Sequence, residues 1–176
     1  MKTLVFATHN PHKIKEVKQM MPPGLRLLSL DDIGCQEAIP ETAETLEGNA
    51  RIKAAHVWEK YGYHCFADDT GLEVEALGGA PGVYSARYAG EDADAMANME
   101  KLLGKLEGSR ERGARFRTVI ALVLDGSYHF FEGIVSGEIL EQPKGNEGFG
   151  YDPVFRPAGY QGSFAQMPPA DKNRIS

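Results

Sequence analysis

The strongest indication of both fold and chemistry is a single segment, FADDTGLEVEALGGAPGVYSARYAG at residues 66–90. A short apolar run leads into Asp68 and Asp69, and 5 of the chain's 20 glycines lie in the segment. Two adjacent carboxylates raise each other's proton affinity unless a cation or hydrogen-bond donors compensate them. The pair, expected at the end of a strand over residues 64–67, is therefore a candidate for metal binding or base catalysis.

Strand and helix patterns alternate on the N-terminal side of this segment. A buried strand over residues 4–7 precedes Asn10 and Pro11, which are typical of a helix N-cap and first helical position. A second strand is predicted around residues 26–30, followed by an acidic loop over residues 31–44. Apolar residues at helical spacing predict a long helix over residues 45–61. The order indicates an α/β protein.

The C-terminal half is richer in strands. Two β-rich runs at residues 115–124 and 128–140 flank Asp125-Gly126, a strong hairpin signal, so this part of the sheet should be antiparallel and the whole sheet mixed. Asp92 is the predicted cap of a helix that turns Met96 and Met99 inward. Residues 168–172 are predicted to open a last helix, which the end of the chain at residue 176 truncates.

Composition limits the classes of protein to consider. A chain of 176 residues, 42% hydrophobic, can bury one sizeable core, so we expect a single domain over residues 1–176. The excess of 25 acidic over 19 basic residues argues against a nucleic-acid partner, and any phosphate site must be local. No apolar run approaches membrane-spanning length. Cys35 and Cys65 lack zinc-type spacing and suggest small core residues in a reducing compartment, which predicts a cytoplasmic protein without membrane partners.

The N-terminal turn, residues 8–13, combines features that suit a phosphate group. It places backbone N–H groups, the positive end of a helix dipole and Lys13 at one point. A well-capped helix with Lys13 in solvent is the alternative, and the turn alone favours it. His9 and His12 lack a third ligand, so zinc is not expected here.

Carboxylates further along the chain are candidate metal ligands. Glu41 in the acidic loop and Asp69 would provide the one or two carboxylates that Mg2+ uses beside substrate phosphates. An ordinary capped turn over Asp68, Asp69 and Thr70 is an equally good account of the local composition. Lys53, taken alone, has the pattern of a solvated charge on a helix face.

A third candidate segment lies at residues 145–153, GNEGFGYDP. It places Phe149, Tyr151 and Asp152 among glycines that allow close backbone approach, as stacking and edge recognition of a planar base require. The alternative is a tight loop whose aromatic side chains fill the core, which the segment alone slightly favours.

Five motifs together resemble the inosine triphosphate pyrophosphatase family of nucleotide house-cleaning enzymes. They are THNPHK at 8–13, ADDTGL at 67–72, LGGAPGVYSARYAG at 77–90, GFGYDPVF at 148–155 and DKNRIS at 171–176. The resemblance spans the chain and implies an elongated, two-lobed α/β fold, in which a mixed β-sheet with flanking helices borders a central substrate cleft. It also implies a homodimer that uses Mg2+ to hydrolyse ITP, dITP and XTP to the monophosphate and pyrophosphate.

The same resemblance assigns roles to residues at matching positions. Asp69 would accept the proton, and Glu41 and Asp69 would hold the metal. Substrate would be bound by Thr8, His9, Asn10, Pro11, His12, Lys13, Lys53, Thr70, Phe149, Gly150, Tyr151, Asp152, Lys172 and Ser176, with less support for Ser85 and Arg87. Residues 8–13 and Lys53 would bind the phosphates, and residues 149–152 and the C-terminal segment would bind the base.

Two departures from the family pattern bear on this assignment. His9 stands where the family commonly has glycine, and the chain ends at Ser176, before the His-Arg pair that the family places next. A nucleotide-binding sensor without turnover and a pyrophosphatase for modified pyrimidines are the alternative functions. Lys172 is a candidate donor to the 6-carbonyl of hypoxanthine or xanthine, which would disfavour adenine. Guanine has the same 6-carbonyl, so this donor does not distinguish it from hypoxanthine or xanthine.

Overall fold

The structure, a computed structural model, describes residues 2–176. Its strands are β1 (Lys2–Phe6), β2 (Leu25–Leu28), β3 (Cys65–Val74), β4 (Pro81–Gly82), β5 (Gly113–Leu124), β6 (Ser127–Ile139) and β7 (Phe155–Pro157). Its α-helices are α1 (Pro11–Met20), α2 (Leu46–Tyr61), α3 (Ala95–Lys105) and α4 (Pro169–Ile175). None of these helices is both long and apolar enough to cross a membrane.

The strands form one mixed sheet, as predicted. Their order is β2-β1-β3-β5-β6-β7, and the short β4 pairs with β3. Strand β1 is parallel to β2 and β3, whereas β3 with β4 and β6 with β7 are antiparallel. The predicted hairpin is confirmed: only Asp125 and Gly126 separate β5 from β6, and both have positive φ, at 49° and 79°. This geometry suits the twist of a two-residue hairpin.

Strand β3 is longer than the sequence predicted, so the expectation that it ends at the aspartate pair is wrong. Asp68 and Asp69 lie inside the strand, which continues to Val74. Pairing with β1 stops at Phe66, but pairing of Leu72 with Gly82 of β4 extends β3 beyond it. The capped-turn alternative for residues 68–70 is therefore wrong as well. Both carboxylates belong to a buried strand rather than to a flexible turn.

Local cap chemistry fixes most helix boundaries. The side chain of Asn10 accepts hydrogen bonds at the start of α1, and Gly62 ends α2 at φ 73°, both as predicted. The predicted cap of α3 is wrong: Asp94, not Asp92, accepts from the backbone of Met96 and Ala97. Met96 in the first turn is 68% exposed, so the inward apolar stripe begins at Met99.

The chain divides into two compact units, each with its own buried residues. The first comprises the residues up to Asp69 together with Thr118–Glu132, and the second comprises Thr70–Arg117 with Gly133–Ser176. The first unit buries apolar residues of β1 and α2, among them Val5, Phe6, Ala50, Ala54 and Val57. The second has a hydrophobic cluster that includes Leu72, Leu102, Ile139, Phe155 and Phe164.

Substitution of Gly137 in β6 tests the pairing of β6 with β7. A Cβ at this position would overlap the carbonyl oxygen of Arg156 and lie 2.7 Å from Cζ of Phe155. We expect Gly137→Ala to lower the free energy of unfolding by about 1–3 kcal/mol, as overpacking does. Gly133→Ala in the same strand is the matched control, because its Cβ would meet nothing within 4 Å. Urea unfolding measures both, and equal stability of the two variants would contradict the pairing.

Candidate active site

The N-terminal turn connects β1 to α1 and is held by its own side chains. Oδ1 of Asn10 accepts from the backbone N–H groups of His12 at 2.9 Å and Lys13 at 3.3 Å. The backbone N–H of Asn10 in turn donates to Oγ1 of Thr8 at 3.1 Å. The expectation that these amides are free for a phosphate is therefore wrong, because the cap already uses them. The helix dipole and the side chain of Lys13 are the positive features that this turn keeps.

Lys13 is not in solvent, so the capped-helix alternative is correct about the cap but wrong about this side chain. Its side chain is only 20% exposed, and Nζ lies 2.9 Å from Oδ2 of Asp68. Burial alone would lower the pKa of Lys13, but the charge and hydrogen bond of Asp68 outweigh it and raise the pKa above its ordinary value. Lys13 is therefore a fixed positive charge beside the aspartate pair.

Lys53 is a second buried cation at the same place. It lies on the buried face of α2, is 7% exposed, and donates from Nζ to the backbone oxygen of Asp68 at 2.5 Å. The same Nζ lies 2.8 Å from Oε1 of Glu41 in the acidic loop. The solvated alternative for Lys53 is thus wrong. Residues Lys13, Glu41, Lys53 and Asp68 form one cluster of alternating charge within the first unit.

Asp69 has a different environment from its neighbour Asp68. Its Oδ2 accepts a hydrogen bond from Nδ2 of Asn49 at 3.2 Å, and the residue is 8% exposed. Burial raises the pKa of Asp69 to about 6, Lys53 opposes this shift, and the charge of Glu41 adds to it. An ionisable group with this pKa can exchange a proton near neutral pH, as a general base must.

Asn49 is a residue that the sequence analysis did not assign. It is fully buried on α2, where it donates to Asp69 and accepts from the backbone N–H of Ala43 at 2.9 Å. It therefore connects the acidic loop to the carboxylate of Asp69. A polar side chain at a core position of an otherwise apolar helical stripe is the signal that could have identified it.

A cavity of about 190 Å³ lies beside these charges in the first unit. It is lined by Ala7, Thr8, His9, Leu30, Ala38, Ile39, Glu41 and Lys53. His9 is held at its edge, since Nε2 lies 3.0 Å from the backbone oxygen of Glu37. The lining combines polar and charged side chains with apolar ones, and its two charged members, Glu41 and Lys53, form an ion pair.

A second group of predicted residues comes together in the second unit. Nζ of Lys172 lies 2.7 Å from Oδ2 of Asp152 and 4.5 Å from the centre of the Phe149 ring. Oδ2 of Asp152 also accepts from the backbone N–H of Phe149 at 3.0 Å. Gly148, at φ 74°, leaves room for this carboxylate, because a Cβ there would overlap Oδ2 of Asp152. An aromatic face, an acceptor and a donor are thus held in one arrangement.

The other predicted site residues of the second unit range from buried in its core to exposed. Tyr151 belongs to the hydrophobic cluster, and its hydroxyl donates to the backbone oxygen of Ser85 at 2.7 Å, so the core-filling alternative is correct for this side chain. Gly150 is half-buried at φ 61°, and Thr70 follows Asp69 in β3. Ser176 is exposed, and its backbone N–H donates to Lys172.

Comparison with known proteins was decisive for the family. A sequence model of the Ham1 family matches residues 4–176. The chain belongs to the Ham1 family. Among its relatives, a dITP/XTP pyrophosphatase of Christiangramia forsetii is 57% identical over 173 residues, covering 98% of this chain and 91% of the relative. A dITP/XTP pyrophosphatase of Porphyromonas gingivalis is 55% identical over 177 residues, covering 100% of this chain and 91% of the relative.

Solved structures of Ham1 proteins have the same fold. The Ham1 protein of Staphylococcus aureus gives a TM-score of 0.88 at 39% identity, covering 99% of this chain and 91% of its own. A HAM1 protein of Coxiella burnetii gives a TM-score of 0.90 at 36% identity, covering 100% of this chain and 92% of its own. The family resemblance and the mixed-sheet α/β fold predicted from the sequence are both confirmed.

The two aspartates should affect stability in opposite directions. With its pKa raised from 3.8 to about 6, Asp69 binds its proton more tightly in the folded state, so the metal-free protein loses stability as pH rises from about 4 to about 6. Asp69→Asn should therefore raise the free energy of unfolding at pH 8 by roughly 2–3 kcal/mol, a gain that disappears below about pH 4.

Asp68→Asn is the matched comparison for this experiment. It removes the partner of Lys13 and should lower the free energy of unfolding by about 1.5–3 kcal/mol at pH 8. Denaturant unfolding of both variants in chelator, at pH 4, 6 and 8, measures these changes. Destabilisation of the same size in both would contradict the different environments of the two carboxylates.

Proposed function

We propose that this chain hydrolyses the deaminated purine nucleoside triphosphates ITP, dITP and XTP to the nucleoside monophosphate and pyrophosphate, and so removes them from the nucleotide pool. The observation that carries the proposal is the buried Asp69, with a pKa of about 6, whose charge interacts electrostatically with those of Lys53 and Lys13. Support also comes from relatives at 55–57% identity that are named dITP/XTP pyrophosphatase. Proton transfer and charge neutralisation are the two requirements of phosphoanhydride hydrolysis.

The phosphates are assigned to the first unit. Lys13 and Lys53 supply two positive charges beside the cavity, and residues Thr8 and His9 line it. Asn10, Pro11 and His12 shape the turn that holds Lys13 at the start of α1. Because carboxylates already fix the two lysines, little side-chain entropy is lost when a phosphate replaces those carboxylates as their partner. The arrangement is suited to holding a triphosphate in one orientation.

Asp69 is assigned as the group that accepts the proton of the attacking water. In the metal-free protein its pKa of about 6 lies near neutral pH, the range that suits a general base. Asn49 holds the carboxylate in one orientation, since it donates to Oδ2. Attack at the α-phosphorus releases pyrophosphate in a single step, so pyrophosphate, rather than inorganic phosphate, is the diagnostic product.

Glu41 and Asp69 are assigned as the ligands of a Mg2+ ion. The donor set fits a hard cation, because both ligands are carboxylates and the charge of Glu41 raises the pKa of Asp69. Such mutual repulsion is what a divalent cation relieves. When bound, Mg2+ would neutralise charge that develops on the phosphate oxygens. Thr70, the next residue of β3, is assigned to substrate contact.

The base is assigned to the second unit. Phe149 offers a face for stacking, Lys172 a donor for the 6-carbonyl of hypoxanthine or xanthine, and Asp152 an acceptor. Adenine presents an amino donor at the 6-position, which cannot accept a hydrogen bond from the ammonium of Lys172. Gly150 and Tyr151 are assigned to the same base site, because they join Phe149 to Asp152 in the chain. Ser176, which follows α4, is assigned to this site as well.

We also infer a cytoplasmic homodimer. Support for a dimer comes from Phe130 and Phe131 of β6, which are 44% and 55% exposed in the first unit. The two side chains point to opposite faces of β6, and exposed aromatic residues of this kind are enriched at contact surfaces. The two buried free cysteines are compatible with a reducing compartment. Sedimentation equilibrium of the purified chain decides between one copy and two.

Product analysis of the purified chain tests the proposed reaction. With Mg2+ and ITP, we expect IMP and pyrophosphate in equal amounts, with ATP and GTP turned over far more slowly. Asp69→Asn should retain nucleotide binding but lose turnover by at least about 100-fold, the usual contribution of a general base. ITP binding without any product would instead support a nucleotide sensor, and faster turnover of dUTP would support a pyrimidine pyrophosphatase.

Phe149→Ala tests the base assignment separately. Loss of a stacking face should lower kcat/KM by about 5- to 150-fold, the equivalent of about 1–3 kcal/mol. The loss should be the same for ITP and XTP, because stacking does not depend on base substituents. Tyr160→Ala is the control, since Tyr160 is an exposed aromatic residue of the same unit. Unchanged kinetics of Phe149→Ala would remove Phe149 from the base site.

A further inference from the structure

A second cluster of metal-ligand residues lies in the first unit, and the proposed reaction does not use it. Cys35, Glu37 and His56 bring a thiol sulfur, a carboxylate oxygen and an imidazole nitrogen within 4.8 Å of one another. We propose that these three side chains form a binding site for Zn2+ or a similar borderline-soft divalent cation, separate from the carboxylates of Glu41 and Asp69. The proposal is independent of the proposed function.

The local backbone directs these side chains toward one another. A 3₁₀ turn over Asp31–Ile33 ends at Gly34, which adopts φ 77°, and the next backbone N–H, that of Cys35, donates to Leu30 at 2.9 Å. This turns Cys35 inward, where it is fully buried. His56 approaches from α2, 21 positions later in the sequence. Sequence spacing therefore gave no sign of the site.

Within the cluster, the imidazole of His56 and the thiol of Cys35 make only long contacts. Nε2 of His56 is buried without a hydrogen bond and lies 3.5 Å from Oε2 of Glu37. Sγ of Cys35 makes a weak contact, at 4.0 Å, with the backbone oxygen of Glu37 and also interacts with the side chains of Glu37 and Tyr61. Burial raises the pKa of the Cys35 thiol, so metal binding must displace its proton. A cation would supply the partner that Nε2 of His56 lacks and would replace the weak contact of the sulfur.

The ligand types and spacing favour zinc over magnesium. Sulfur and imidazole nitrogen are ligands for Zn2+, whereas Mg2+ selects oxygen. Tetrahedral zinc bonds of ordinary length place ligand atoms about 3.4–3.6 Å apart, so the cluster has to contract by about 1 Å. The side chains of Glu37 and His56 are 33% and 25% exposed, which leaves an entry path and room for a water as fourth ligand.

Lys60 is the competitor for this site. Its ammonium forms an ion pair with Oε2 of Glu37, while the hydroxyl of Tyr61 donates to Oε1 at 2.7 Å. A metal ion must displace Lys60, which is 57% exposed and can swing into solvent. The hydroxyl of Tyr61 can remain as an outer partner that orients the carboxylate. The site should therefore bind zinc more tightly when Lys60 is removed.

Titration of the purified chain with Co2+ tests the proposal without reference to activity. With Mg2+ in excess, we expect one equivalent of Co2+ to produce a thiolate-to-cobalt absorption band in the near ultraviolet, which Zn2+ then abolishes by displacement. Cys35→Ser should lose the band. Cys65→Ser is the matched control and should keep it, because Cys65 is the other buried thiol and donates to the backbone of Ala54.

Two further variants keep the test decisive if Cys35→Ser fails to fold. His56→Gln should weaken cobalt binding at least tenfold, since even outer partners account for factors of about 10–100. Lys60→Met should strengthen it by about two- to fivefold, the equivalent of an exposed ion pair. Absence of the band in the wild-type chain, or a band that survives in Cys35→Ser or His56→Gln, would overturn the proposal. The band is read without nucleotide, so its absence is distinguishable from failure of the hydrolytic reaction.

Discussion

The charge balance around Asp68 is the constraint on which the candidate active site depends. Its carboxylate binds Lys13 from the start of α1, and its backbone oxygen binds Lys53 from α2. A buried charge without a partner is costly, so neither lysine could stay inside the protein alone. Strand β3 thereby fixes two helices by their cations, and the same contacts hold those cations beside the cavity.

The neighbouring position uses the same chemistry for a different purpose. Asp69 receives a neutral donor, Asn49, rather than a direct lysine contact, and its burial is compensated only in part. Its proton affinity therefore stays high, whereas Asp68 acts as a permanent counterion. Adjacent residues of a strand point to opposite faces, and so two carboxylates with one peptide bond between them can have separate environments. Separation of their roles requires β3 to continue through both.

Local chemistry made part of this structure predictable. The predicted N-cap at Asn10, helix end at Gly62 and hairpin turn at Asp125-Gly126 are correct, because a few neighbouring atoms determine a cap or a two-residue turn. The length of β3 was not predicted correctly, because it depends on pairing with β4, a strand of two residues. Burial of Lys53 was also misread from local pattern alone, since its partners come from a loop and a strand distant in sequence. Motif resemblance, which carries such long-range information, is what proposes Lys53 as a substrate-binding residue.

Charge compensation also explains why the chain can be acidic overall and still suit a polyanion. The net charge is −6, yet Lys13 and Lys53 are held inside, each by one carboxylate. A triphosphate that binds these lysines takes them from Asp68 and Glu41, so both carboxylates lose their counterions while Glu41 still repels the charge of Asp69. Only an added cation restores the balance, and carboxylate oxygens select a hard one. The ion pairs of the substrate-free protein are thus the physical reason for expecting nucleotide and divalent cation to bind together.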